Sequence, residues 1–438
     1  MASESADNGH RRVCVTTTTG QANNFEGSKS IAADGVHFVA RQPILDLNGR
    51  VHAFRLLFRE ESEPEKSASA GRAMMETAAF HKLNKPSELK RLTGSLVAIV
   101  RCAPEALSEE LAQVLPPSLT VLEIAPSGGA TPELKATCEK LKALGFRLAL
   151  GEFTGQPEFD SLVELADYIK VDFGRSQPEE RRELLQRLRG KSIILLASNL
   201  ETQKDYLKAR EEGFTLFEGY WFCQPVMKRN RRPPANQMLR IEILQALQKQ
   251  PLDLVKVSQL VKRDGPLTYQ LLRLANSPLW ALRQPVESIQ AALLAVGDDA
   301  FRRIATLAIA TEFNGDQPAE LLCMVMVRAR FCEVAGVRRG LDPFGQYLLG
   351  LLSLLPAMQG QPMSELAPAL AVSPEIRAAL MGTKTPERVL LGWLESCECG
   401  DWAGCDAAAQ ADGLNQQELV KTYVEAVAWA EAALHSGS

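Results

Sequence analysis

The sequence predicts an α/β barrel of the (β/α)₈ type, its first strand antiparallel, followed by a separate all-helical domain. Three observations predict it. Eight short apolar runs lie between residues 36 and 222, most of them separated by charged segments with helical periodicity. The gap between the first two runs, Asp46 to Gly49, is a turn too short to hold a helix, so these strands form a hairpin. After Pro225 strand patterns stop, and apolar residues recur at helical spacing to about residue 433.

Taken in order, residues 1–35 are polar, carry Thr16 to Thr19 in a row and show no sustained apolar periodicity, and are expected to form a disordered tail. The barrel is expected over 36–226, with strands at 38–41, 51–58, 96–100, 121–125, 147–153, 168–172, 193–198 and 216–222. Segments such as 132–143 and 178–188 supply crossover helices. Residues 227–236, with Lys228, Arg229, Arg231, Arg232, Pro233 and Pro234, read as an exposed linker, and the helical domain follows over 237–433. Leu239, Ile243, Ala246 and Leu247 share one helical face, as do Leu267, Leu271, Leu274 and Ala275, and Ile289, Ala292, Leu293 and Val296. Breaks are expected at Gly265-Pro266, at Asn276-Ser277-Pro278 and at Gly297.

Composition narrows the function. Lys plus Arg number 49 against 53 for Asp plus Glu, so the net charge of -4 supplies no field that would gather nucleic acid or anionic lipid. The basic linker is the one local exception, and a solvated hinge is the simpler reading of it. No apolar stretch approaches the ~20 residues needed to span a bilayer, and residues 1–30 lack the pattern of a secretory signal. Nine scattered cysteines suit reduced thiols, so a cytoplasmic location is expected. Cys397, Cys399 and Cys405 lack a fourth ligand for zinc and are expected to be free thiols on a helical surface.

In a (β/α)₈ barrel the chemistry sits at the carboxyl ends of the strands. Those positions hold Arg55 to Arg59, Val100-Arg101, Glu123, Gly151-Glu152-Phe153, Lys170 and Asp172, Ser198 and Asn199 with Glu201 beyond, and Glu218. Acids and bases are present without an evident cage for two cations.

Ala40-Arg41-Gln42-Pro43-Ile44, Phe54 to Arg59, Val121-Leu122-Glu123-Ile124, Leu148 to Gly155, Tyr168-Ile169-Lys170-Val171-Asp172, Ala197 to Thr202 and Gly219 to Pro225 together resemble an EAL domain, in that family's order. The helical half, with Asp264, Leu271 to Ser277, Ser288-Ile289 and Gly297, resembles an HDOD domain. The two together resemble the EAL–HDOD class of bacterial signalling protein. The resemblance implies a (β/α)₈-type barrel that hydrolyses cyclic di-GMP with magnesium or manganese, joined to a helical relative of HD phosphohydrolases that lacks their metal ligands.

The departures from that pattern shape the expectation. Arg55 stands where the Glu-Ala-Leu signature opens with a metal-binding carboxylate, Gly151 and Glu152 replace the paired aspartates of a second motif, and Ser198 replaces a glutamate. No Asn occurs between Pro86 and Ser198, so the Asn ligand after strand three is missing. Of the main metal carboxylates Glu123 remains, and Arg59, Lys170, Asp172 and Glu201 match family positions. A magnesium or manganese site is therefore expected to be lost, with no catalytic residue and no metal ligand set. The helical half has no His before His435, which excludes His-dependent metal hydrolysis there. The candidate ligand-binding set is Arg55, Arg59, Glu123, Glu152, Lys170, Asp172 and Glu201. Beside it stands a plainer reading, in which Glu123 and Asp172 are polar barrel residues paired with Lys170 or Arg55, and Arg59 is a salt-bridged strand end.

The expected function is a non-catalytic cytoplasmic adaptor that acts through signalling proteins in a cyclic di-GMP-linked pathway. Alternatives are a metal-independent cyclic di-GMP receptor using Arg55 and Arg59 as phosphate partners, then an active cyclic di-GMP phosphodiesterase. Neither a membrane nor a nucleic acid is an expected partner, and a homodimer is left open.

Overall fold

The computed structural model describes residues 38–59, 86–124, 129–225, 237–277, 280, 282, 284–315, 317–370 and 372–435. The expected tail and linker lie outside the described residues. Eight strands close a barrel in sequence order: β1 (Phe38–Asp46), β2 (Val51–Arg59), β3 (Val97–Cys102), β4 (Thr120–Ile124), β5 (Arg147–Leu150), β6 (Tyr168–Asp172), β7 (Ile194–Ser198) and β8 (Leu216–Glu218). Strand β1 runs antiparallel to both β2 and β8, and the other neighbours pair in parallel.

Three strands differ in length from the sequence reading by three or more residues, and of these β5 ends at Leu150 instead of Phe153. β1 continues through Pro43 to Asp46, because Ile44, Leu45 and Asp46 pair with Glu218, Phe217 and Leu216 and so close the barrel. β8 stops at Glu218 instead of reaching Phe222, and Trp221–Cys223 is a 3₁₀ turn. The break lies at Gly219, whose φ of 146° and close approach to the Leu200 backbone leave no room for a Cβ.

Described barrel helices of five or more residues are α1 (Pro86–Thr93), α2 (Pro132–Ala143), α3 (Pro178–Leu188) and α4 (Gln203–Glu212). Their ends follow local chemistry. Thr131 accepts the Leu134 N–H and Pro132 opens α2, while Thr202 and Asp205 cap the start of α4 reciprocally and Gly213, at φ 102°, ends it.

The second half is helical: α5 (Gln237–Leu247), α6 (Leu254–Val261), α7 (Gly265–Ala275), α8 (Ile289–Val296), α9 (Asp298–Asn314), α10 (Ala319–Arg338), α11 (Pro343–Leu352), α12 (Leu355–Gln359), α13 (Pro374–Leu380), α14 (Arg388–Cys399), α15 (Trp402–Asp412) and α16 (Gln416–His435). The apolar faces predicted for α5, α7 and α8 are the faces turned inward. Asp264 caps α7, and Asn276 ends it while its side-chain amide holds both the N–H and the carbonyl of Val286. The breaks at Gly265-Pro266 and Gly297 also fall at helix starts.

The barrel and the helices from Val36 onward form one compact unit, not two bodies held by a linker alone. One continuous apolar core joins the outer barrel layer to the helices. A second, smaller core lies inside the barrel, one residue per strand: Ile44, Ala53, Ile99, Val121, Ala149, Tyr168, Leu196 and Leu216. It seals the barrel beneath the mouth.

Candidate functional site

Side chains two residues apart on a strand share a face. From the inner apolar layer this rule leads to Arg55 on β2, Arg101 on β3, Glu123 on β4, Gly151 after β5, Lys170 on β6, Ser198 on β7 and Glu218 on β8. On the reversed β1 it leads backward from Ile44 to Gln42. A polar layer thus sits on the apolar one at the carboxyl ends of the parallel strands, the position at which (β/α)₈ barrels carry their chemistry.

Four of these residues form a closed ring of alternating charge. Lys170 Nζ lies 2.8 Å from Glu218 Oε2 and 3.3 Å from Glu123 Oε2. Arg55 closes the circle, with one terminal nitrogen 3.1 Å from Glu218 Oε1 and Nε 4.0 Å from Glu123 Oε2. The side chains of Glu123, Glu218 and Lys170 are only 1%, 2% and 5% exposed. Burial alone would push the Glu123 carboxyl up. Lys170, Arg55 and Arg101 outweigh it and hold the group at about 2, so Glu123 is a carboxylate at neutral pH. Two cations and two carboxylates cancel, and the ring carries no net charge.

Gly151 belongs to this arrangement because of what it lacks. A Cβ there would lie 2.5 Å from Glu123 Oε1, so the carboxylate occupies the space that a side chain at 151 would need.

A second set of polar contacts lines the rim. Asp172 accepts the N–H groups of Gly174 and Arg175 at 3.0 and 3.1 Å and the Asn199 amide at 2.8 Å. Arg101 pairs with Glu152 at 3.0 Å. The exposed Arg175 lies 3.6 Å from Asp172 and 3.9 Å from Glu152. Glu152 and Asn199 both adopt positive φ, 51° and 58°, a conformation few non-glycine residues accept and one that collects at binding and catalytic sites. Ser198, buried at the end of β7, donates to the Val171 carbonyl.

The structure therefore gathers Arg55, Glu123 and Lys170 into one ring and places Glu152 and Asp172 on the rim above it. The plainer reading of Glu123 matches its contacts. For Asp172 it does not, since its partners are backbone amides, Asn199 and Arg175 rather than Lys170 or Arg55. Glu201 is exposed beyond β7 and forms no ion pair among the described residues. Arg59 ends β2, and its side chain lies outside the described residues. Sequence reasoning left Glu218, Arg101 and Gln42 out of the set. Their signal was the two-residue spacing from an inward apolar residue, which is readable only when the register of each strand is known. The cysteine expectation is corrected too: Cys399 is exposed, but Cys397 and Cys405 are buried between α14 and α15 because both face the helical core.

A family model for the HDOD domain matches residues 233–342. The chain is 29% identical over 402 residues to the uncharacterized protein YuxH of Bacillus subtilis, covering 90% of this chain and 97% of that one. It is 27% identical over 402 residues to the cyclic di-GMP phosphodiesterase CdgJ of Vibrio cholerae, covering 90% and 92%. Among solved structures, the calcium/cyclic di-GMP complex of Klebsiella pneumoniae BlrP1 is similar at 19% identity and a TM-score of 0.36, over 42% of this chain and 55% of that one. Among the described residues no helix is long and apolar enough to cross a membrane. A closed eight-stranded barrel whose first strand is reversed is thus followed by helices in which residues 233–342 match the HDOD domain, the arrangement expected of a chain that resembles the EAL–HDOD class of signalling protein.

Proposed function

We propose that this chain is a non-catalytic cytoplasmic adaptor of a cyclic di-GMP-linked pathway, acting through contacts with signalling proteins. The observation that carries the reading is the self-neutralised ring. Hydrolysis of a phosphodiester by magnesium or manganese needs several free oxygen ligands around each cation. At this mouth the two buried carboxylates, Glu123 and Glu218, already hold Lys170 and Arg55. Bringing a divalent ion between them would mean displacing two fixed cations at short range, and the donor set does not fit one. Gly151 offers no further oxygen from its side chain, and Asp172 is engaged by two backbone N–H groups and Asn199.

The test is incubation of the full chain with cyclic di-GMP and magnesium or manganese, followed by chromatography. No linear dinucleotide is expected above a no-protein control. Metal-dependent product that disappears in Glu123→Ala would overturn the reading and move the chain to the activity named for CdgJ.

A second reading, a metal-independent cyclic di-GMP receptor, is favoured by one feature of the rim. Arg101 and Arg175 meet at Glu152, so a phosphate could exchange with a single carboxylate while the ring below stays intact. Calorimetric titration of cyclic di-GMP without divalent metal separates the two readings: heat at micromolar protein that is lost in Arg101→Ala would favour the receptor, and its absence the adaptor.

A further inference from the structure

The C-terminal end of α14 lies against the barrel mouth. Gln42 on β1 belongs to the polar layer, and its side-chain amide donates to the Glu398 carbonyl of α14 at 3.4 Å. The Tyr220 hydroxyl, just past β8, donates to the same carbonyl. On β1 and β2 the pair Ala40 and Leu57 stands one layer above the pair Gln42 and Arg55, on the same inward side. Inward apolar residues at the top of an open mouth would meet water, yet both are buried. Gly400, which ends α14, shows what covers Leu57: a Cβ on it would lie 2.9 Å from Leu57 Cδ1. We propose that the turn at residues 398–400 is an autoinhibitory plug, an internal occupant of the β8–β1–β2 side of the mouth that must withdraw before a ligand or a partner's side chain can reach Arg55.

Shape and charge both act in this direction. Arg55 has 14% of its side chain exposed, whereas Arg175, farther round the mouth after β6, keeps 79%. Glu398 lies in the last turn of α14, where carbonyls run out of amide partners inside the helix and carry the negative end of its dipole. That end opposes an incoming phosphate or carboxylate, the groups that an arginine at the mouth attracts.

The plug is fastened from the helical side as well. The Glu398 carboxylate pairs with Arg328 of α10 at 2.6 Å, and Arg328 also reaches Ser353 beyond α11 and Glu395 of α14. The barrel thus holds the carbonyl of Glu398 while α10 holds its side chain. Repacking of the helices moves the cover on the mouth, and by reciprocity an occupant of the mouth biases the packing of the helices. The plug concerns access, and so stands apart from whether the barrel serves an adaptor or a receptor.

The test is modification of the full chain by phenylglyoxal, an arginine-selective reagent, followed by peptide mapping. Exposed Arg175 is the reference. Arg41 reports any general parting of the two halves, because its guanidinium donates to Cys323 of α10 on the outer side of β1 and its backbone N–H meets the Tyr423 hydroxyl of α16. Loss of one hydrogen bond should raise opening of the plug about fivefold, and loss of both about thirtyfold. Modification of Arg55 relative to Arg175 should therefore rise by about those factors in Tyr220→Phe and in the double variant Gln42→Ala/Tyr220→Phe, with Arg41 unchanged. The contacts of Arg55 with Glu123 and Glu218 are common to all three proteins and cancel in the ratio. Tyr220→Phe removes a single oxygen and reports alone should the double variant fail to fold. An Arg55 as reactive as Arg175 in the unmodified chain, a rate that neither variant raises, or a rise that Arg41 shares would each overturn the proposal.

Discussion

At the scale of single residues, the ring makes removal of one partner far costlier than the worth of any one contact. Lys170→Met leaves Glu123 and Glu218 facing each other with Arg55 and Arg101 to compensate, and it should cost ~3–5 kcal/mol, read as a lower midpoint in urea. The same ring sets a dependence on acid. Because the folded Glu123 carboxyl is held at about 2, below its value of 4.5 in the unfolded chain, its contribution is complete above about 4.5 and is lost as pH falls toward 2. Urea midpoints measured from pH 5 to pH 2 should therefore fall more steeply in the unmodified chain than in Glu123→Gln. The ring was only partly legible in the sequence. Arg55, Glu123 and Lys170 could be picked out by resemblance, and Glu218 lies two residues beyond the inward Leu216, a relation that becomes evident once β8 is in register. Arg41 gave no such signal, since Cys323 and Tyr423, two of its contacts, lie 282 and 382 residues away.

At the scale of elements, two features depend on whether a side chain is present. Helices α10 and α11 approach so closely that a Cβ on Gly350 would lie 2.2 Å from the Arg328 carbonyl oxygen. Gly350→Ala should cost ~1–3 kcal/mol by overpacking, with the loss visible in thermal or urea unfolding. Asn276 shows the opposite dependence, on a side chain that is present. It holds Val286 by two hydrogen bonds, at 2.9 and 2.7 Å, and Asn276→Ala should cost about 1 kcal/mol and raise exchange of the Val286 amide. Strand and helix identity was legible because apolar periodicity is a local property. Strand ends were not, because β1 gains its extra length from pairing with β8 and β8 loses its own to the Leu200 backbone pressed against Gly219.

At the scale of the whole molecule, the continuous core that joins barrel and helices predicts a single cooperative thermal transition. Calorimetric and van't Hoff enthalpies should agree, and two separated peaks would mean that the halves melt on their own. The sequence showed a barrel and a helical domain in the right order but gave no sign that their surfaces join. Apolar residues on the outside of a strand look the same whether a neighbouring helix or a second domain covers them.

Gly151 and its carboxylate neighbour also bear on how the mouth can change over generations. Acquiring an acid at 151 drives a side chain into Glu123, while replacing Arg55 by an acid puts a third carboxylate beside one lysine. Each lone substitution toward an acid-rich mouth is opposed, the first by volume and the second by charge. Several changes would need to arrive together, so the mouth resists gaining acids one at a time: neighbours occupy the space and the charge balance that a new acid would need.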